Sequence, residues 1–185
     1  MPTPTRAAGA RTAARLIAAS AFTLVASAAF AHVTLEQQEA SVGASYKAVL
    51  RVPHGCEGKA TIAVRLQIPE GVIAAKPMPK AGWKLEKIKG KYARSYDYYG
   101  TQISEGVKEI DWTGGSLADD EYDEFVVRAM LTTDLPVGRT LYFPVVQECE
   151  GGAVERWIAI PADGQSSDEL ESPAPGVKLL PKAGE

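Results

Sequence analysis

Short runs of alternating apolar and polar residues, each stopped by proline or glycine, constrain this chain more than any other feature. Thr61-Ile62-Ala63-Val64-Arg65-Leu66-Gln67-Ile68 alternates until Pro69-Glu70-Gly71, and Tyr46-Lys47-Ala48-Val49-Leu50-Arg51-Val52 until Pro53 and Gly55. A two-residue period is that of a strand with one buried face, so Ile62, Val64, Leu66 and Ile68 are expected on one side of a sheet. Further strand-like runs occupy 83–88, 92–98, 108–112, 124–131, 141–147 and 154–160, while helical periodicity of any length is missing. Turn residues separate them at Gly82, Gly90, Gly114-Gly115, Pro136-Val137-Gly138 and Gly151-Gly152. Many short strands with closely spaced turns predict an all-β sandwich of immunoglobulin-like or cupredoxin-like type, with a barrel as the alternative.

The first 31 residues stand apart. Arg6, Arg11 and Arg15 appear there with no acidic residue, followed by an apolar run over 16–28 and the small-residue motif Ala29-Phe30-Ala31. That is the pattern of a secretory signal peptide cut after Ala31, which predicts export to the periplasm. Removing 31 of the 185 residues leaves 154, enough for one domain with its own core. The sandwich is expected over 32–163. Residues 164–185, rich in Ser, Asp, Glu, Pro and Ala, are expected to form a loosely held tail.

The leader holds three of the 20 basic side chains and none of the 23 acidic ones, so the mature chain has 17 against 23 and a net charge of −6. That argues against nucleic acid as a partner, since binding it requires a basic footprint. No second apolar stretch approaches the ~20 residues of a membrane span, so the mature chain is not expected to cross a membrane. Cys56 and Cys149 are the only cysteines. In an exported chain they read first as a disulfide, whose long loop confers roughly 4 to 5 kcal/mol in the chain-entropy model. The competing reading is a thiolate copper site.

Cleavage after Ala31 would make His32 the first residue. Its α-amine and imidazole, with ordinary pKa values of about 7.7–8.0 and 6.5, are two nitrogen donors able to close one chelate ring. Cu(II) suits such nitrogen and oxygen ligands in a square plane and heads the divalent affinity order. The plainer alternative is that His32 merely marks where the peptidase cuts. Carboxylates are the natural additional ligands, and Asp119-Asp120-Glu121-Tyr122-Asp123-Glu124-Phe125 is the densest supply. Within it Glu124 abuts the apolar strand, Glu121 comes second, and the run as a whole also reads as a solvated loop. Of Trp83, Trp112 and Trp157, each a candidate for ordinary core packing, Trp157 is the better lid over a cation and Trp112 the second choice. His54, in Val52-Pro53-His54-Gly55-Cys56, reads as a turn residue before a ligand. Gly-x-Ser-x-Gly elbows, phosphate loops and His-Glu-x-x-His zinc helices are absent from the sequence, so no enzyme of the usual kinds is expected.

The ordered set His32-Val33-Thr34-Leu35, Val52-Pro53-His54-Gly55-Cys56, Gln67-Ile68-Pro69-Glu70-Gly71-Val72 and Pro79-Lys80-Ala81-Gly82-Trp83 resembles the YcnI-type copper-binding domain family of exported bacterial proteins. The likeness continues through Trp112-Thr113-Gly114-Gly115, Glu121-Tyr122-Asp123-Glu124-Phe125, Phe143-Pro144-Val145-Val146-Gln147, Trp157 and Pro173-Ala174-Pro175. It implies a Cu(II) site in which His32 supplies its amine and one ring nitrogen, Glu124 completes the ligands and Trp157 closes over them. It also implies a metallochaperone or buffer in copper homeostasis, exchanging the ion with other periplasmic copper chaperones or membrane copper transporters. Two other classes stay open: a copper-dependent oxidative enzyme, with His54 as second imidazole, and a metal-free interaction module.

Overall fold

Strands account for nearly all regular structure in the computed structural model, which describes Met1, Thr3 and residues 32–184; the expected signal peptide and its cleavage motif lie outside the described residues but for those two. The strands are β1 (Thr34–Leu35), β2 (Glu39–Ser41), β3 (Ser45–Val52), β4 (Thr61–Gln67), β5 (Val72–Pro77), β6 (Lys84–Tyr98), β7 (Thr101–Leu117), β8 (Asp123–Leu131), β9 (Thr140–Tyr142), β10 (Val145–Cys149), β11 (Val154–Trp157) and β12 (Gly176–Leu180). They form a four-stranded sheet ordered β1-β3-β8-β5, a five-stranded sheet ordered β11-β10-β4-β7-β6, and a small sheet ordered β2-β12-β9.

The two larger sheets make a β-sandwich. Ala48, Leu50 and Val52 of β3 and Phe125, Val127, Ala129 and Leu131 of β8 face Val64, Leu66, Ile110, Trp112, Val145 and Trp157 of the second sheet in one buried cluster. Alternation explains the choice, because each inward residue has outward neighbours such as Lys47, Arg51 and Arg128. The expected Ile62 row holds only for Val64, Leu66 and Ile68. A register shift between Thr61 and Ala63 buries Thr61 and leaves Ile62 half-exposed.

Three further expectations are corrected. Gly90 and Gly114-Gly115 are not turns: β6 and β7 run straight through them and reverse at Tyr99-Gly100. Gly115 serves close approach instead, as does Gly106, whereas Gly114 takes a positive φ of 74° with open space around it. A Cβ on Gly115 would lie 2.1 Å from the Trp83 ring, and one on Gly106 would lie 1.8 Å from the Tyr92 hydroxyl. The run over 141–147 is split at Phe143-Pro144, sending β9 to the small sheet and β10 to the second large one, since Pro144 has no N–H for the ladder. Finally, the C-terminal segment is not loose throughout. Val177-Lys178-Leu179 alternates within β12, which pairs in parallel with β2 and antiparallel with β9 and buries Val177 and Leu179 completely.

Candidate functional site

One seam of the sandwich is where an edge strand of each large sheet meets the other. β1 is the edge of the first sheet and β11 the edge of the second. Two residues ahead of β1, His32 sets its ring against the indole of Trp157 at the end of β11, with centroids 5.6 Å apart and planes tilted by 55°. Trp157 is buried, and the His32 Nε2 is shielded from solvent.

The indole is held from behind. Its Nε1–H donates to Gln147 Oε1 at 3.1 Å. Gln147 Nε2 donates in turn to the His54 carbonyl and to Thr61 Oγ1, both at 2.7 Å. This amide is fully buried at the middle of β10, and its three bonds fix both its position and which end carries the donors. Thr61 Oγ1 lies 3.7 Å from Cys149 Sγ, and the Gln147 carbonyl lies 4.0 Å from Cys56 Sγ. Cys56 and Cys149 form the expected disulfide, tying the turn after β3 to the end of β10. The thiolate-site alternative is thereby removed. Sequence reasoning assigned Gln147 no part here, because a glutamine in an alternating run looks solvated until β10 is known to be flanked on both sides.

In front of His32 opens a cleft of about 570 Å³ whose walls include Glu39, Tyr142, Asp168 and Lys178. Its floor is a strap through Pro173-Ala174-Pro175, pinned by Ala174 N–H to the Ala159 carbonyl at 2.8 Å and Phe143 N–H to the Pro175 carbonyl at 2.8 Å. Glu39 pairs with Lys178 across the small sheet at 3.9 Å. Glu39 and Asp168 were not singled out from the sequence, and only the pairing of β2 with β12 brings Glu39 to the cleft.

The remaining candidates sit as follows. Thr34, Arg51 and Glu124 form one cross-strand row over β1, β3 and β8. Glu124 is engaged there by Arg51 at 3.8 Å and by the Tyr122 hydroxyl, which donates to it; that bond is the main reason the Tyr122 pKa is raised. Arg51 also reaches Glu36 at 3.8 Å. Glu121 is exposed in the turn before β8, its N–H donating to the Ala118 carbonyl at 3.1 Å. Trp112 is wholly buried, edge-on to Phe125 at 5.3 Å, and is core. The His54 ring turns to the Gly55 carbonyl. The structure thus brings His32 and Trp157 together, while Glu124 is directed to Arg51 and Tyr122. Among the described residues, no group of three or more His, Cys, Asp and Glu side chains is arranged to hold a metal, and no helix is long and apolar enough to cross a membrane.

Residues 32–179 match the family described as "Domain of unknown function (DUF1775)". Among solved structures, the chain is similar to an uncharacterized protein from Nocardia farcinica whose structure reveals an immunoglobulin-like fold. The two are 27% identical, with a TM-score of 0.58 over 80% of this chain and 98% of that one. Among curated proteins, none matches.

Proposed function

We propose that this chain, which belongs to the DUF1775 family, is an exported Cu(II)-binding protein that carries the ion in the periplasm on His32 and passes it to other copper proteins. The observation that carries this reading is the packing of the His32 ring on the buried Trp157 indole, 5.6 Å away, at the head of a carboxylate-bearing cleft. Once the leader is removed, His32 offers an amine and an imidazole nitrogen, two donors of the kind Cu(II) prefers. An indole face beside them attracts a cation through its quadrupole and keeps water from that side. Copper here is cargo. A receiving protein entering by the cleft would displace the carboxylate first and the chelating histidine last.

The carboxylate has two candidates. Glu124 is supported by the resemblance and by its place at the rim of the core. Glu39 is supported by its position in the cleft with His32, and its partner Lys178 is held at only 3.9 Å in an exposed pair. An oxidative enzyme is the less favoured reading, since its second imidazole would be His54, whose ring is bonded to the Gly55 carbonyl.

The test is Cu(II) titration of exported protein whose first residue has been identified by mass spectrometry. His32→Ala should weaken binding at least 100-fold, and so should a single glycine added ahead of His32, which moves the amine out of the chelate. Glu39→Gln and Glu124→Gln, compared side by side, identify the carboxylate by a loss of about 10-fold. Binding by His32→Ala equal to that of the unaltered protein would overturn the reading.

A further inference from the structure

A second site lies on the outward face of the first large sheet, away from the seam. Lys47 of β3, Arg128 of β8 and Lys76 of β5 are direct cross-strand neighbours, so three cations stand in one row. Strands are spaced about 4.8 Å apart, and like charges placed directly opposite destabilise a sheet. All three side chains are exposed, and none takes part in an ion pair among the described residues. The one hydrogen bond from Arg128 within the row's surroundings goes to the neutral Ser45 hydroxyl at 2.8 Å. The flanking rows bring no relief, for Ser45, Met130 and Ile73 lie on one side and Val49 and Val126 on the other. A chain with a net negative charge has here concentrated positive charge, and Glu105, which shares the adjoining pocket with Lys76, forms no ion pair with it.

The row rims an open depression of about 410 Å³ with Val126 and Met78 in its lining. Met78 is more than half exposed there and offers apolar surface beside the cations. The size falls within the range that takes a small organic ligand. A bare phosphate would use the cations and waste the apolar lining, and a flat membrane surface would not enter the concavity. We propose that this is a binding site for a single-chain anionic amphiphile, with an alkyl body on Val126 and Met78 and a carboxylate or phosphate head held by Lys47, Lys76 and Arg128. The site uses none of the residues of the seam, so it stands or falls independently of copper.

Calorimetric titration of the exported full-length chain with laurate and with dodecyl phosphate, below their micelle concentrations, tests it. One molecule should bind per chain, and the tighter of the two identifies a carboxylate or a phosphate as the natural head. The triple variant Lys47→Gln/Lys76→Gln/Arg128→Gln should weaken binding at least 10-fold while its melting temperature, without ligand, stays level or rises, because like-charge crowding has been relieved. His32→Ala should bind the amphiphile like the unaltered protein. Four results overturn the proposal: equal affinity for dodecyltrimethylammonium, equal affinity for inorganic phosphate alone, unchanged binding by the triple variant, or capture by phosphatidylglycerol vesicles with no binding of the monomeric amphiphiles.

Discussion

The two open sides of this sandwich are closed by different chemistry. At the seam of β1 and β11, closure rests on a disulfide, a buried amide with three hydrogen bonds and the His32–Trp157 contact. On the other side, the distal half of the β6–β7 hairpin forms an arm whose Tyr92 and Tyr96 cover Ile73 in a small cluster separate from the main core. That arm is held by Glu70, which accepts from the Ala93 N–H at 2.9 Å, from the Tyr96 hydroxyl at 2.8 Å and from Lys108 at 2.7 Å. Neutral, buried bonds fix one side, and one partly solvated carboxylate gathers the other. The seam should therefore be the more rigid of the two, and the arm the first part to open.

Removing the disulfide is the harshest way to break this contrast. Cys56→Ala/Cys149→Ala should cost about 3–5 kcal/mol, read as the midpoint of urea unfolding, because a loop closed over 93 residues is released. Hydrogen exchange should show the loss concentrated in β4, β10 and β11. Equal loss of protection in the arm would mean that the two sides open as one unit, ending the comparison. Gln147→Glu is the next largest change. It keeps the acceptor for Trp157 but removes both donated bonds and sets a carboxylate against the His54 carbonyl, for about 2–3 kcal/mol. Trp157 fluorescence should shift with it, whereas the tyrosines of the arm should not change.

The same contrast separates what the sequence made legible from what it did not. β3, β4 and β8 were readable because each has several inward residues in alternation, and the Cys56–Cys149 pairing followed from two cysteines in a chain read as exported. What escaped depends on distant partners. Gly115 looks like a turn until Trp83 is seen lying over it. β12 offers only Val177 and Leu179 as inward apolar residues, too few to mark a strand before β2 and β9 flank it. At the site, His32 and Trp157 were singled out individually, but the network behind them was not. Gln147 and Glu39 are ordinary polar residues until the order of strands gives one a buried socket and the other a cleft.

The smallest effect, and the finest test of the comparison, concerns pH. Burial disfavours ionised Glu70, but the bonds from Lys108, Tyr96 and Ala93 outweigh it and hold its carboxyl below the usual range. A carboxyl whose folded pKa lies below its unfolded one contributes stability above the unfolded value, about 4.3, and that contribution disappears as pH falls through the folded value. Because Glu70 and Lys108 are about a third exposed, solvent screening limits the contribution to less than about 1 kcal/mol. Acidification from pH 5 to 3 should accordingly loosen the arm while the seam holds, for the Gln147 amide has no proton to gain. The Ala93 amide resonance should follow the Glu70 titration, and Glu70→Gln should abolish that movement while leaving the Trp157 indole N–H resonance in place. An indole resonance that moves in step with Ala93 would show the two closures to be coupled through the core, and the distinction between a rigid seam and a titratable arm would fail.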